Sequence, residues 1–404
     1  MRRARRAGGP VLGNGEKRVR IVEVATRKDL KRFVQVPRHL YSGLAGFEPS
    51  LDFERMQLLD PKRAPFFGHG EAAFWLALDA AGRPLGRISA QYDRLTPPER
   101  AHIGHFGCLE AVDDGAVVAA LIATARDWHA RRGRRILQGP YTFSINEEAG
   151  LQVEGQEHGA MILMPWHPPY LGAHVEAAGL VPVKDLLAYV IDLDHAAKWR
   201  GMTVAKASGQ GQMTTRMLDL TALDREAELM TELFNASWND NWGFVPLAAP
   251  ELATLLKVSR PILRANHATF IEVDGKVSAF AFGLPNAYEL FRGLNGRLLP
   301  FNWARAAYRL LTHRFDSYRF TLLGVRSDLR DTTFGARLPM AAIAQLFSQN
   351  RNPGSLEMSW ILDDNTRMRR IIERIGGKVY KRYRLYGDAG PASGGAEAPA
   401  GAAP

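Results

Sequence analysis

Glu357 stands in the run SLEMSWIL, Ser355–Leu362, whose residue types favour an extended chain. In a strand, Leu356, Met358 and Trp360 share one face, and Glu357 and Ser359 share the other. A carboxylate in that position could take a proton from a reacting group, or it could be a structural anion paired with one of the chain's arginines. After a second strand-like run, Arg135–Tyr141, the residues Tyr141, Asn146, Glu147 and Glu154 follow closely. Loops at strand ends often carry binding groups, although an Asx turn with solvent-facing acids reads equally well here. The run NASWNDNWGFVP, Asn235–Pro246, sets Trp238 and Trp242 among Asn235, Asn239, Asp240 and Asn241. Aromatic planes beside amides suit an alkyl chain with a polar head, and they also suit a loop pinned by tryptophan packing.

Other chemistries find no support. His158, His167 and His174 are 9 and 7 residues apart, with no HExxH pair, so no metal site is expected. The single cysteine, Cys108, excludes an internal disulfide and fits a reducing cytosol. There is no GxxxxGK[ST] phosphate loop, and no RNP, helix-turn-helix or zinc-finger signature, so no nucleic-acid partner is expected. Seven basic residues against Glu16 place +6 of the chain's +10 in residues 1–20. No apolar core follows those arginines, so they do not read as a secretory leader. The apolar stretch Ala116–Ala125 is too short to span a bilayer.

The elements that must position these residues come in two copies. YLGAHVEAAGLVPVKDLLAYV, Tyr170–Val190, and RMRRIIERIGGKVYKRYRLYG, Arg367–Gly387, match at an offset of 197 through Glu176 and Glu373, Gly179 and Gly376, Lys184 and Lys381, and Tyr189 and Tyr386. Each copy reads as a short helix, a glycine stop and a strand. Upstream, Ala72–Ala90 and His267–Gly283 both read as β-hairpins with Asp and Gly in the turn. The length of 404 residues and this repeat predict two tandem domains, each a mixed α/β sheet flanked by helices. The expected boundaries are a basic tail 1–19, domains 20–200 and 215–387 joined by a linker 201–214, and an Ala/Gly/Pro tail 388–404 too poor in apolar residues to fold. Glu289–Arg292 is expected as a strand. The predicted helix Phe301–Phe315 has Trp303, Ala307, Leu310 and Leu311 on one stripe and Arg305, Arg309 and Arg314 elsewhere. Such a helix could rest on anionic lipid, but core packing is the expectation.

This order of elements resembles the GNAT superfamily, with LEMSWILDDN (Leu356–Asn365), TRMRRIIERIG and KVYKRYRLYG as the closing third of such a domain. GPYTFSINEEAGLQVEG (Gly139–Gly155) and MILMPWHPPYLGAHVEAAG are similar to a bacterial tandem-GNAT group that includes ceramide synthases. The resemblance implies two central strands that splay to hold a thioester. It also implies N-acyl transfer from acyl-CoA or an acyl carrier protein to an amine, plausible acceptors being sphingoid bases, in a cytoplasmic protein with peripheral contact to an anionic membrane. For such a transfer Glu357, on its strand face, is the first choice for a base, and Tyr380 or Tyr386 could protonate the leaving thiolate or serve only as strand packing. Donor binding falls to Arg330, Gly335, Ala336, Arg337 and Asn365, although Asn365, at the start of the next helix, reads more simply as its cap. Substrate binding falls to Trp238, Asn239, Trp242, Tyr141, Asn146 and Glu147.

The stretch Arg330–Ala336 is longer than the family's phosphate loop, and the first half offers only Asp113-Asp114-Gly115, whose carboxylates would repel a pyrophosphate. The active centre is therefore expected in the second half or between the halves. A GNAT acting on a small soluble amine or peptide, and a catalytically degenerate one that binds a partner, are the alternatives left open.

Overall fold

The computed structural model describes residues 19–193, 213–330, 332–349 and 354–389. Most of the basic leader, the linker up to residue 212 and the tail from residue 390 lie outside the described residues, as do the side chains of Arg330 and Ala336.

Strands β1 (Arg20–Glu23), β2 (Gly70–Leu78), β3 (Pro84–Asp93), β4 (Ile103–Ala111), β5 (Ile136–Gly139), β6 (Leu151–Glu154) and β7 (Val181–Asp192) come from the first half. The second half supplies β8 (Met213–Met217), β9 (Ala268–Val273), β10 (Lys276–Pro285), β11 (Ser317–Val325), β12 (Ser355–Leu362) and β13 (Lys378–Gly387). They form one mixed sheet in the order β1-β2-β3-β4-β5-β13-β7-β12-β11-β10-β9-β8, with β6 on β13. The order is a palindrome of the repeat. Each half builds five strands and then receives its sixth from the other half. β13 pairs with β5 through Tyr386–Gly139, and β7 pairs with β12 over Ser355–Met358. The two exchanged strands pair antiparallel at the centre.

The repeated helix–strand units are α4 (Leu171–Ala177) before β7 and α9 (Thr366–Arg374) before β13. Gly179 and Gly376 follow them at φ 91° and 93°, the left-handed stop read from the sequence. The matched residues meet across the exchange: the Tyr189 hydroxyl donates to Glu373 Oε1 at 2.9 Å, and the Glu176 carboxylate acts on the Tyr386 hydroxyl.

Helices cover both faces of the sheet. α1 (Arg27–Tyr41) is started by Thr26, whose hydroxyl and amide are tied to Asp29, and it packs Phe33 and Val36 on Phe74 and Leu76. α2 spans Asp52–Leu59, and α3 (Gly115–Ala130) lies on β3 and β4 through Val118, Leu121 and Ile122. In the second half, α5 (Leu223–Trp238) and α6 (Ala249–Val258) seat Met230, Leu233, Leu252 and Leu256 against Phe270, Phe280 and Phe282. Each fully buried phenylalanine contributes about 1.5–3 kcal/mol over leaving it in water. α8 (Leu338–Gln349) covers the other face through Ala342, Ile343 and Leu346.

Two local expectations are corrected. Tyr288–Phe291 is a helical turn, not a strand, and follows Asn286, whose Oδ1 accepts from the Tyr288 amide. The stripe expected in the core lies on α7 (Asn302–Thr312), which has no buried residue: Trp303 is 57% and Leu311 86% exposed.

Candidate active site

The two central parallel strands of the second half part company. β11 and β12 pair from Ser317–Ser355 to Phe320–Met358 and no further. Beyond that point β11 stays with β10 as far as Val325, while β12, after a bulge, stays with β7 at Ile361 and Leu362. The end of α5 plugs part of the gap. Trp238 Nε1 donates to the Leu323 carbonyl at 2.6 Å, and Ser237 Oγ accepts from the Val325 amide at 2.6 Å. A cleft remains between the parted strands, walled by Phe234, Trp238, Leu252 and Leu255 and by Leu322, Met358 and Ile361. It continues past Trp238, Leu323 and Met368 into a groove at the start of α8, lined by Gly335, Pro339, Asn365 and Arg367.

The cleft is completed by the first half. Asn146, Glu147 and Leu163 line it alongside Arg319 and Ser359. The loop is fixed there because Asn146 Nδ2 donates to the Val245 carbonyl at 2.9 Å. Glu147 sits among apolar walls and near other acids. Burial first, then the charges of Glu251 and Glu148, raise its carboxyl from 4.5 to about 8. Glu251 also lies 3.4 Å from His69 Nε2, and His69 Nδ1 is 2.9 Å from Asp93. Those two carboxylates, Glu251 foremost, raise the imidazole to about 9, so it is a cation at neutral pH.

Glu357 has different surroundings. It is buried and its oxygens accept hydrogen bonds from the Ser359 and Tyr380 hydroxyls, with Lys381 Nζ at 3.5 Å and Arg319 Nε at 3.9 Å. Burial foremost, with the Glu357 charge, lifts the Tyr380 hydroxyl far above its usual range, and burial lowers the Lys381 ammonium. Glu357 does not line the apolar cleft. It faces a separate polar cavity with Tyr380, Lys381, His158 and His313.

The corresponding gap in the first half is narrowed, leaving a polar cavity beside Cys108, Glu110, Pro140, Thr142 and Glu148. β4 and β5 pair over Ile103–His105, after which the chain turns back on β4 and the Tyr141 amide donates to the Phe106 carbonyl at 2.8 Å. A Cβ at Gly107 would stand 1.5 Å from the Tyr141 oxygen, so this closure depends on glycine there. At the start of α3, Asp114 accepts from the Ala116 amide and Asp113 meets His174 at 2.6 Å. That helix end therefore presents carboxylates where a phosphate would need donors.

The residues read from the sequence thus divide. Trp238, Asn146 and Glu147 meet at the apolar cleft, and Gly335 and Asn365 meet at the groove beyond it. Asn365 also caps α9, accepting from the Met368 amide at 3.1 Å. The Gly335 amide is taken by the Thr332 hydroxyl at 2.9 Å, and Arg337 is exposed beside it. Tyr141 lies buried in the first half, and Trp242 packs in the cluster around Ile145 and Met161. Asn239 follows the last residue of α5 as its C-cap. Tyr386 is buried in the first-half core, away from the cleft. Glu251, His69 and Arg319 were not read from the sequence, and Ser359 was read only as sharing a strand face with Glu357. Of the three unread residues, only Arg319 carried a signal, a cation between Tyr318 and Phe320 in an apolar strand, which requires a buried partner.

No family model matches the chain. It is 37% identical over 370 residues to the bacterial ceramide synthase of Caulobacter vibrioides, spanning 91% of this chain and 96% of that protein. It is 35% identical over 364 residues to Protein YghO of Escherichia coli, spanning 89% and 93%. In fold it is similar to a tandem GNAT protein from the clavulanic acid biosynthesis pathway, with a TM-score of 0.54 at 14% identity over 93% of this chain and 99% of that one.

Proposed function

The chain belongs to the bacterial ceramide synthase family and is an N-acyltransferase; from that premise we propose that it moves a fatty acyl group from an acyl thioester to the amine of a long-chain sphingoid base. The observation that carries this reading is the apolar cleft between β11 and β12, where Glu147, brought from the other half, meets Glu251 as the half-buried carboxyls of its lining. An alkyl chain needs such walls, and a short acyl group does not.

In this reading the donor, acyl-CoA or acyl carrier protein, lays its pantetheine arm in the groove at the start of α8. The helix N-terminus and the exposed Arg337 and Arg367 face its phosphates. The thioester carbonyl then sits where the strands part. Backbone N–H groups of β11 facing the gap stabilise the oxyanion. An alkyl amine is mostly protonated at neutral pH, with a pKa near ~10. The ammonium gives one proton to water; as the nitrogen then attacks the carbonyl carbon, Glu147 takes a second, the C–S bond breaks, and that second proton passes from Glu147 to the departing thiolate. A carboxyl held at about 8 is better matched to that exchange than an ordinary one. Glu357, already accepting from two hydroxyls and facing two cations, holds Arg319 and Tyr380 in place.

The test is purified protein with sphinganine and either palmitoyl-CoA or acetyl-CoA, with products read by mass spectrometry. N-palmitoyl product is expected. Transfer from acetyl-CoA alone would overturn the lipid reading and leave the small-amine one. No transfer with CoA or carrier-protein donors would overturn both.

A further inference from the structure

We propose that the segment Leu299–Arg314 seats the protein on a membrane surface bearing anionic headgroups. The helix α7 is turned inside out for a soluble protein. Its half-buried side is Asn302, Ala306, Arg309 and Leu310, and is tied down mainly by polar groups: Asn302 Nδ2 donates to the Leu294 and Arg297 carbonyls at 3.1 and 2.8 Å, and Arg309 Nη1 donates to the Leu290 and Arg292 carbonyls at 3.0 and 2.6 Å. Its outward side is apolar. Ala304, Ala307, Tyr308 and Leu311 follow the i, i+3, i+4, i+7 spacing of one stripe, and all four are exposed. Leu299 and Phe301 extend the stripe at 75% and 81% exposure, and Trp303 flanks it. Tryptophan and tyrosine beside aliphatic side chains are the residues that settle at the headgroup boundary.

Charge selects the occupant. Between Glu289 and Asp316 the chain carries Arg292, Arg297, Arg305, Arg309 and Arg314 and no acid at all. Arg309 is turned to the body, but a second copy docking on this surface would bring the exposed Arg292, Arg297, Arg305 and Arg314 near their own counterparts, so symmetric dimerisation works against itself. A bilayer with anionic lipid takes both the apolar stripe and the charge. Because four backbone carbonyls of the body hold the helix from beneath, it is formed before it meets lipid and pays no folding cost there.

The experiment is co-sedimentation of the full chain with phosphatidylcholine vesicles and with vesicles that also contain phosphatidylglycerol. Donor and acceptor are left out, so failure here is separate from failure of the acyl-transfer reading. Binding is expected on the mixed vesicles, weakened by salt. It should fall about tenfold or more in the double variant Phe301→Glu, Leu311→Glu. Those side chains lie in water, so circular dichroism and thermal unfolding should match the parent. Three results would overturn the proposal: no sedimentation with the mixed vesicles, equal sedimentation of the double variant, or a dimer in solution that the double variant dissolves while vesicles bind neither protein.

Discussion

Glu147→Gln separates activity from stability in opposite directions. The carboxyl is held at about 8 against an ordinary 4.5, a gap worth up to ~4–5 kcal/mol against the ionised form. Glu147 is half-buried, so water screening brings the expected cost to about 2–4 kcal/mol. The sign follows from which state holds the proton. Unfolded chain releases it above about 4.5 and folded chain only above about 8. The penalty is absent at low pH, grows through that window and is complete above it. Glutamine keeps the shape and removes the charge, so the variant should be more stable than the parent at pH 8–9 and equal to it near pH 4. Its acyl transfer should fall by on the order of 10²–10⁴, the range for a lost general base. In the parent, kcat/KM should rise with pH through about 8. The assays are urea unfolding across pH beside single-turnover acylation. A variant that keeps its rate, or gains no stability at high pH, would refute the assignment of Glu147 as both strained and catalytic.

Other consequences can be measured directly. Tyr386→Phe should cost about 1 kcal/mol by removing a buried hydroxyl that lies near Glu176, and leave kcat within about twofold; a hundredfold loss would return the tyrosine to the chemistry. Arg337→Ala with Arg367→Ala should raise KM for acyl-CoA by about tenfold and leave KM for an acyl-pantetheine thioester unchanged, since only the former carries the nucleotide phosphates. His69, raised to about 9 from 6.5, stabilises the contact between halves fully below pH 6.5 and loses that contribution as pH passes about 9. Thermal unfolding should therefore show about 1–2 kcal/mol of pH dependence in that window that His69→Leu abolishes.

The doubling of the fold was open to reading because Gly179 and Gly376 punctuate two copies of one helix–strand unit, and glycine at a helix stop is a local signal. That the copies exchange strands was not, since Tyr189 and Tyr386 would find a matched glutamate whether paired within a half or across. Asn146 and Glu147 stood out as polar residues after a central strand, but their reach into the other half depends on how the halves dock. The stripe on α7 has the period of a buried helix. Periodicity gives a face and not what covers it, so core and exposed surface read alike. The phosphate loop was misleading in detail because Gly335, an apparent anion ligand, has its amide taken by Thr332.

The strand exchange also fixes an order of events at the ribosome. The edge of β5 ends at Gly139, and the strand that covers it begins at Lys378. At 5–20 residues per second, roughly ten to fifty seconds of synthesis separate the two. Throughout that interval the nascent first half holds an open hydrogen-bonding edge that only the last stretch of its own chain is shaped to close. A holding chaperone, or a stall near the C-terminus, would therefore act on the N-terminal half as strongly as on the half being made.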